Sequence, residues 1–342
     1  MKYSTLGGTG LLVSNLAFGT MTFGSASGAA GAVFKVDAPL ADRLVGQALD
    51  AGVNYFNTAD MYAGGESERL LGQALGKRRG EIAIATKVGH RTGPGLIQHG
   101  LSRRHILEAA EASLRRLNTE WIDVYLVHLV DPNTPLEETL EALQQLVRAG
   151  KVRYVGFSNW PAWMAAKSVA IQHARGWEPF RAAEMYYSLL TRDLEHEVVP
   201  FAVDAGVGVQ VWSPLAGGFL SGKYTRQTPD GGGGRLASFD LIPFERERGY
   251  RIVDELRAVA ELHGARPAQI ALAWLLTRPA VSTVLVGASS EAQLAENLRA
   301  AEISLTPADL ARLEAASALA PLYPTWFNAK VFDADARKAL GR

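Results

Sequence analysis

The 342-residue chain predicts an α/β fold, a (β/α)8 TIM barrel with an N-terminal β-hairpin and long loops at the C-terminal face. Three observations carry that expectation. Short β-branched and aromatic runs alternate with longer segments of helical periodicity about eight times, the repeat of a parallel barrel. Polar residues gather just beyond the C-terminal ends of those runs, where parallel α/β folds place their chemistry. Finally, no Gly-x-Gly-x-x-Gly opens a helix after an early strand, which disfavours an open doubly wound sheet; Gly7, Gly8 and Gly10 sit in a turn instead.

Taken in order, residues 2–6 and 11–18 flank that glycine turn and read as a β-hairpin, the second run leading to Gly19-Thr20-Met21. Residues 25–32 are small and read as a loop, and residues 40–49 repeat at helical spacing before Gly52. Residues 53–56 form the next strand, and the chain then delivers Asn57, Asp60 and Tyr62 in quick succession. Further strands are predicted at residues 82–86, 122–127, 152–157, 182–186, 207–212 and 283–286. Helices are predicted at 67–75, 103–117, 136–149, 162–173, 195–205, 252–263, 268–276, 291–301 and 307–318. Barrels of about 250 residues or more are single units, so residues 1–342 read as one domain.

Two connections exceed what a strand-to-helix link needs. Residues 89–100 contain Arg91, Pro94 and His99, and residues 217–244 contain four consecutive glycines, 231–234. Loops of that length tend to be lids, and Lys223 and Arg235 on either side of the glycines suggest one that handles an anion.

Composition narrows the function. Lysine plus arginine equals aspartate plus glutamate at 35 each, for a formal net charge of +0, so neither nucleic acid nor an anionic membrane is an expected partner. The absence of cysteine excludes disulfides, thiolate catalysis and cysteine-ligated metal. Met1-Lys2-Tyr3-Ser4 begins no apolar leader and no apolar run reaches the length of a membrane span, so a cytoplasmic location is expected.

A barrel would bring distant strand ends to one mouth. These are Asn57, Asp60 and Tyr62, then Lys87, His128, Ser158-Asn159, Glu184 and Tyr186, Trp212-Ser213-Pro214-Leu215, and Gly287-Ala288-Ser289. Singly, each has a packing or solvation explanation. Together they put a phenol, an ammonium and an imidazole at one end of the fold. An ammonium beside a phenol favours the phenolate and lowers its pKa from about 10, which suits general acid catalysis. One histidine with scattered carboxylates makes no metal ligand set, and no metal is expected.

Along nearly the whole chain these motifs resemble the aldo-keto reductases. The resemblance rests on Gly19-Thr20-Met21, Asn57-Thr58-Ala59-Asp60-Met61-Tyr62, Ala85-Thr86-Lys87, Leu126-Val127-His128 and Gly156-Phe157-Ser158-Asn159. Trp212-Ser213-Pro214-Leu215-Ala216-Gly217-Gly218, Ser221-Gly222-Lys223-Tyr224 and Gln293-Leu294-Ala295-Glu296-Asn297 complete it. It implies a hairpin plugging the barrel bottom, NADPH lying across the mouth, and reduction of a small-molecule aldehyde or ketone. By the same resemblance Tyr62 is the proton donor, Lys87 lowers its pKa, and His128 orients and polarises the carbonyl. The nicotinamide would stack on Tyr186 or Trp212, with Ser158, Asn159 and Glu184 near its carboxamide and Gly19, Thr20, Met21 and Asn57 completing that end. Ser213, Pro214, Leu215, Gly217, Lys223 and Arg235 would follow the pyrophosphate, and Gly287, Ser289, Gln293, Glu296 and Asn297 the adenosine.

Three positions depart from the family pattern. Asn57 stands where an aspartate usually pairs with the lysine, so Lys87 should be easier to deprotonate or, while charged, should act more strongly on Tyr62. Asp60 is a candidate to compensate. Glu184 replaces the usual glutamine, and a carboxylate there would favour the oxidised, positively charged nicotinamide. Asn57 and Glu184 are thus expected to shift charge within the site. Ser289 stands where many NADPH-binding members carry a cation, yet Lys223 and Arg235 could supply charge, and NADPH is expected over NADH.

Two other functions compete. One is a nucleotide-binding regulatory subunit with weak or no turnover, resembling the potassium-channel β-subunits of the superfamily; the intact Tyr62, Lys87 and His128, and the lack of an extra N-terminal segment, argue against it. The other is a barrel hydrolase using Asp60 and Glu184 as paired carboxylates. Trp160, Tyr187, Trp326 and Phe327 suggest aromatic walls for an apolar substrate. Nothing in the sequence specifies an oligomeric state.

Overall fold

Strand β1 (Tyr3–Thr5) pairs antiparallel with β2 (Leu12–Ser14), and a second small ribbon joins β4 (Gly24–Ser25) to β5 (Lys35–Val36). The eight remaining strands, all parallel, close into a barrel. They are β3 (Leu16–Gly19), β6 (Tyr55–Asn57), β7 (Ala83–Val88), β8 (Ile122–Val127), β9 (Val152–Ser158), β10 (Ala182–Tyr186), β11 (Gly208–Trp212) and β12 (Val281–Val286), with β12 returning to β3. The coordinates are a computed structural model that describes residues 1–25, 31, 33–234, 236, 242–331 and 333–341. Among the described residues no helix is long and apolar enough to cross a membrane.

The predicted second hairpin run divides in two. Leu12–Ser14 stays with the hairpin, while Leu16–Gly19 becomes the first barrel strand, because the chain changes partners at Asn15. The Asn15 amide donates to the Lys2 carbonyl while its own carbonyl accepts from Val284 of β12. The hairpin closes the N-terminal end of the barrel. Ser4 donates to the Ser282 carbonyl, Ser282 donates to the Thr5 carbonyl, and Gly8 donates to the Gly206 carbonyl. Gly7 must be glycine: its φ is +54°, and a Cβ there would stand 2.5 Å from the Gly206 oxygen and the Gly208 nitrogen.

Two apolar layers result. The outer one fills the space between barrel and helices, with Phe18, Phe56, Tyr125, Phe157 and Trp274 fully or almost fully buried. The inner one holds Leu6 and Val13 of the hairpin against Ala17, Tyr55, Ala83, Ala85, Val124, Leu126, Ala182 and Leu285. Strand side chains alternate between faces. Following the inner stripe upward therefore leads from Tyr55 to Asn57, from Ala85 to Lys87, from Leu126 to His128, from Ala182 to Glu184 and Tyr186, and from Gln210 to Trp212. The apolar floor gives way to a polar layer within one or two residues.

Other boundaries move for local reasons. The predicted strand 53–56 is Tyr55–Asn57, which puts Asn57 inside the sheet. The helix expected from residue 195 begins at Val198, since Glu195 is engaged with Arg192 and Tyr187 just before it. The helix expected from residue 252 begins at Arg246, where the Glu245 carboxylate accepts from the Glu247 and Arg248 amides. The connection from residue 217 is anchored at its described ends: Phe219, Leu220 and Tyr224 are fully buried, and Phe219 stacks on Tyr224 at 5.6 Å.

Candidate active site

Lys87 ends its inward stripe completely buried, and its ammonium is surrounded by acceptors. Nζ donates to Asn57 Oδ1 at 2.7 Å, to the Thr58 carbonyl at 2.9 Å and to Tyr62 Oη at 3.2 Å. Glu184 Oε1 lies 3.1 Å away as an ion pair, and Asn57 Nδ2 donates to Glu184 Oε2 at 2.6 Å. Four residues from three strands and one loop thus form a continuous buried cluster. Register explains the meeting: Asn57 lies opposite Ala85, two residues before Lys87 on the same face.

Tyr62 reaches the cluster from a tight turn, Tyr62–Gly65, in which Ala63 and Gly64 are left-handed (φ 48° and 65°). Behind that turn Arg116 packs on Gly65 and donates to Glu68 Oε2 at 2.6 Å, while Thr86, beside Lys87, donates to Glu68 Oε1 at 2.5 Å. A hydroxyl network of Thr20, Thr58 and Ser67 holds the end of β6: Thr20 Oγ1 donates to the Asn57 carbonyl, and Ser67 lies within 3.0 Å of both threonine hydroxyls.

Burial disfavours the Lys87 ammonium, but Glu184 and Tyr62 outweigh it and leave the lysine above its ordinary pKa. The expectation that Asn57 makes Lys87 easier to deprotonate is thereby reversed, because a carboxylate reaches it from β10. His128 is held well below the ordinary histidine value by burial, then by Lys87 and His90, and is neutral near pH 7. Its ring stands 5.9 Å from that of Tyr62 and 4.5 Å from that of His90, and its buried Nδ1 has no hydrogen bond. His90 was not anticipated; its place three residues after Lys87 was the available signal.

Asp60 does not reach Lys87 as a substitute acid. Both its carboxyl oxygens are buried without a side-chain hydrogen-bond partner, and burial together with Glu68 pushes its pKa up to about 8, against pulls from Arg116, the Met61 amide and Lys87.

Around this cluster lie the predicted cofactor residues. The Tyr186 and Trp212 rings lie against each other at 5.1 Å, and Trp212 Nε1 donates to Asn159 Oδ1 at 3.0 Å. Asn159 Nδ2 donates to Ser158 Oγ at 2.9 Å, and Ser158 donates to the Glu184 carbonyl at 2.8 Å. Ser213, Ala216, Gly217 and Gly218 all have positive φ, and the Gly217 amide donates to Ser213 Oγ at 3.1 Å. The left-handed residues 216–218 form a tight turn closed on itself, the Ala216 amide donating to the Ser213 carbonyl at 2.8 Å and the Gly218 amide to the Leu215 carbonyl at 2.9 Å. Lys223 Nζ stands 3.7 Å from the place a Cβ on Gly218 would take. At the far end Ser289 donates to Gln293 Oε1 through both its amide and its hydroxyl, the buried Asn297 donates to the Gly287 carbonyl, and Glu296 pairs with Arg266. Gly19 and Thr20 meet the end of β6, Gly19 opposite Asn57, and Met21 follows half-buried. Arg235 lies outside the described residues.

An aromatic plate, an amide beside a hydroxyl, and a glycine turn with a lysine beside it suit the rings and phosphates of a dinucleotide. The family model described as "Aldo/keto reductase family" matches residues 15–318. The chain belongs to the aldo/keto reductase family. Its relatives include "Uncharacterized oxidoreductase YrpG" of Bacillus subtilis, 37% identical over 89% of this chain and 92% of that protein. A "Probable voltage-gated potassium channel subunit beta" of Arabidopsis thaliana is 35% identical, and "Versiconal hemiacetal acetate reductase" of Aspergillus parasiticus 34% identical, each over 92% of this chain and 96% of the relative. As an aldo/keto reductase the chain is an NAD(P)H-dependent oxidoreductase acting on carbonyl substrates.

Several expected features of this aldo/keto reductase look different in three dimensions. Trp160 is buried between Phe157 and Phe180, and Tyr187 is buried against Trp274 with its hydroxyl donating to Glu195, so both are packing residues and not substrate walls. Trp326 and Phe327 pack with Tyr323 on a helix, Thr325–Val331, that buries no residue. Asp60 and Glu184 are not a glycosidase pair facing a groove: one is fully enclosed, and both oxygens of the other are engaged by Lys87 and Asn57.

Proposed function

We propose that this aldo/keto reductase reduces an aldehyde or ketone to an alcohol with NADPH, using Tyr62 as proton donor, Lys87 to set its acidity and His128 to position the carbonyl. The observation that carries the reading is the 3.2 Å contact from the buried Lys87 ammonium to the Tyr62 hydroxyl, at the end of the barrel where the polar layer lies. NADPH supplies a hydride to the carbonyl carbon. The protein's task is to bind the carbonyl, stabilise negative charge gathering on its oxygen, and deliver one proton there.

Tyr62 donates that proton from Oη. The phenolate left behind faces the Lys87 ammonium, which favours it, and is reprotonated from solvent once the alcohol has gone. His128, neutral, has a single N–H to offer the carbonyl oxygen, so it orients and polarises without competing as an acid. Tyr186 and Trp212 offer a face to the nicotinamide, with Ser158 and Asn159 exchanging their mutual hydrogen bonds for ones to the carboxamide. The turn at 216–218 and Lys223 hold the pyrophosphate, and Lys223 favours the extra phosphate of NADPH over NADH.

Similarity to a protein named as a potassium channel β-subunit keeps a regulatory, nucleotide-binding role as the second reading. Purified protein given NADPH and a nitrobenzaldehyde separates the two. Steady loss of reduced-nicotinamide absorbance supports the reductase; tight NADPH binding without turnover across a panel of carbonyls supports the regulator. Dissociation constants for both reduced cofactors test the cofactor choice, and tighter NADH binding overturns it.

A further inference from the structure

We propose that Glu184 is the positioning residue that supplies the counter-charge of Lys87, with Asn57 acting as a neutral bridge between them, so that the site's one functional negative charge resides on β10 and not on β6. The proposal rests on the reductase reading for its kinetic consequences and on geometry alone for the charge assignment.

Lys87 is wholly buried, and an ammonium removed from water requires a compensating charge. Its hydrogen-bond acceptors on β6 and the following turn are an amide oxygen, a backbone carbonyl and a phenol, none of which carries a full charge. Among the described residues the carboxylate in ion-pair contact with it is Glu184. Asn57 has a fixed orientation. A lysine can only donate and a carboxylate can only accept, so Oδ1 must face Lys87 and Nδ2 must face Glu184, as observed at 2.7 and 2.6 Å. Both Glu184 oxygens are therefore committed within the cluster, which leaves the carboxamide of the cofactor to Ser158 and Asn159. The titratable groups facing this cluster are Tyr62, Asp60, His90 and His128 around Lys87, and Tyr55 beneath Glu184.

The bridge is symmetric in its chemistry. An amide at 57 with a carboxylate at 184 makes the same hydrogen bonds as a carboxylate at 57 with an amide at 184, since the donated N–H simply reverses direction. Either single change breaks that equivalence. Glu184→Gln removes the negative charge, which lowers the pKa of both Lys87 and Tyr62. Asn57→Asp sets two carboxyls at hydrogen-bond distance; they share a proton at low pH, and once both ionise at alkaline pH the second negative charge raises both.

The test is a double-mutant cycle of wild type, E184Q, N57D and N57D/E184Q. Its readouts are the alkaline limb of the kcat profile and unfolding stability in urea without cofactor. E184Q should lower kcat about tenfold or more and move the limb down by about one pH unit or more. N57D should move it up, and the double swap should return the limb to within a few tenths of a unit of wild type and recover most of kcat. Both single variants should be less stable than the swap. If E184Q retains the wild-type limb, or the swap is no better than the worse single variant in both readouts, the assignment is overturned. Should wild type turn over no carbonyl, the reductase reading fails, while the stability cycle alone still decides where the charge lies.

Discussion

Glu184 and Asp60 are two buried acids near Lys87, and each is only 2% exposed, yet their surroundings could hardly differ more. Glu184 meets an ammonium with one oxygen and an amide N–H with the other. Asp60 has no side-chain hydrogen-bond partner and faces Glu68, and its pKa is pushed up to about 8. Burial is common to both, so burial cannot be what distinguishes them. The partner does: a desolvated carboxyl next to a cation remains available as charge, whereas one next to another acid becomes a neutral group. The barrel thus separates its acids into one tied to the Lys87 ammonium and one set against another acid.

The largest test of this contrast removes the cation. Lys87→Met should abolish measurable reduction and cost about 3–5 kcal/mol of stability, the range for breaking a buried ion pair, and urea unfolding with a steady-state assay checks both. If stability hardly changes, Glu184 is no more dependent on its partner than Asp60 is. Next, Tyr62→Phe should lower kcat by about 10²–10⁴-fold while costing about 1 kcal/mol of stability, because the ion pair beneath it survives. The smallest effect concerns Asp60 and depends on pH. Its folded pKa of about 8 lies above the ordinary 3.8, so the folded state holds the extra proton between those values and stability falls as pH rises through that window. Asp60→Asn removes the penalty. The variant should match wild type near pH 4 and exceed it by at least about 1 kcal/mol near pH 8, as measured by urea unfolding across pH. A pH-independent difference would mean that Asp60 is ionised after all.

Much of this arrangement is legible in the sequence because period-2 and period-3.6 patterns report faces directly. The strand ends at Lys87, His128 and Glu184 follow from their apolar runs, and convergence follows from the barrel. Contacts across the barrel were harder to read. Glu184 appears in sequence as a cofactor contact, since nothing local shows that residue 184 of β10 reaches across to Lys87 of β7. The loss of charge at Asn57 looks like a defect until both residues are placed in one cluster. Aromatic residues failed for the reverse reason: Trp160 and Tyr187 lie beside strand ends in sequence, but both pack into the helical layer, Tyr187 one step of alternation from Tyr186 and Trp160 after Asn159 leaves the strand with a left-handed φ of 58°. Helix starts such as Arg246 depended on a glutamate cap, a weaker signal than serine or aspartate.

The hairpin at the barrel bottom has a consequence for traffic. Leu6 and Val13 are fully buried in the floor, and Ser282 fastens the ribbon to the last strand, so the barrel is blind-ended. An apolar floor stands between the polar layer and that end of the barrel. Under the proposed mechanism, the proton restored to Tyr62 arrives through the same opening that admits cofactor and carbonyl compound, so recharging the acid and emptying the site share a single doorway.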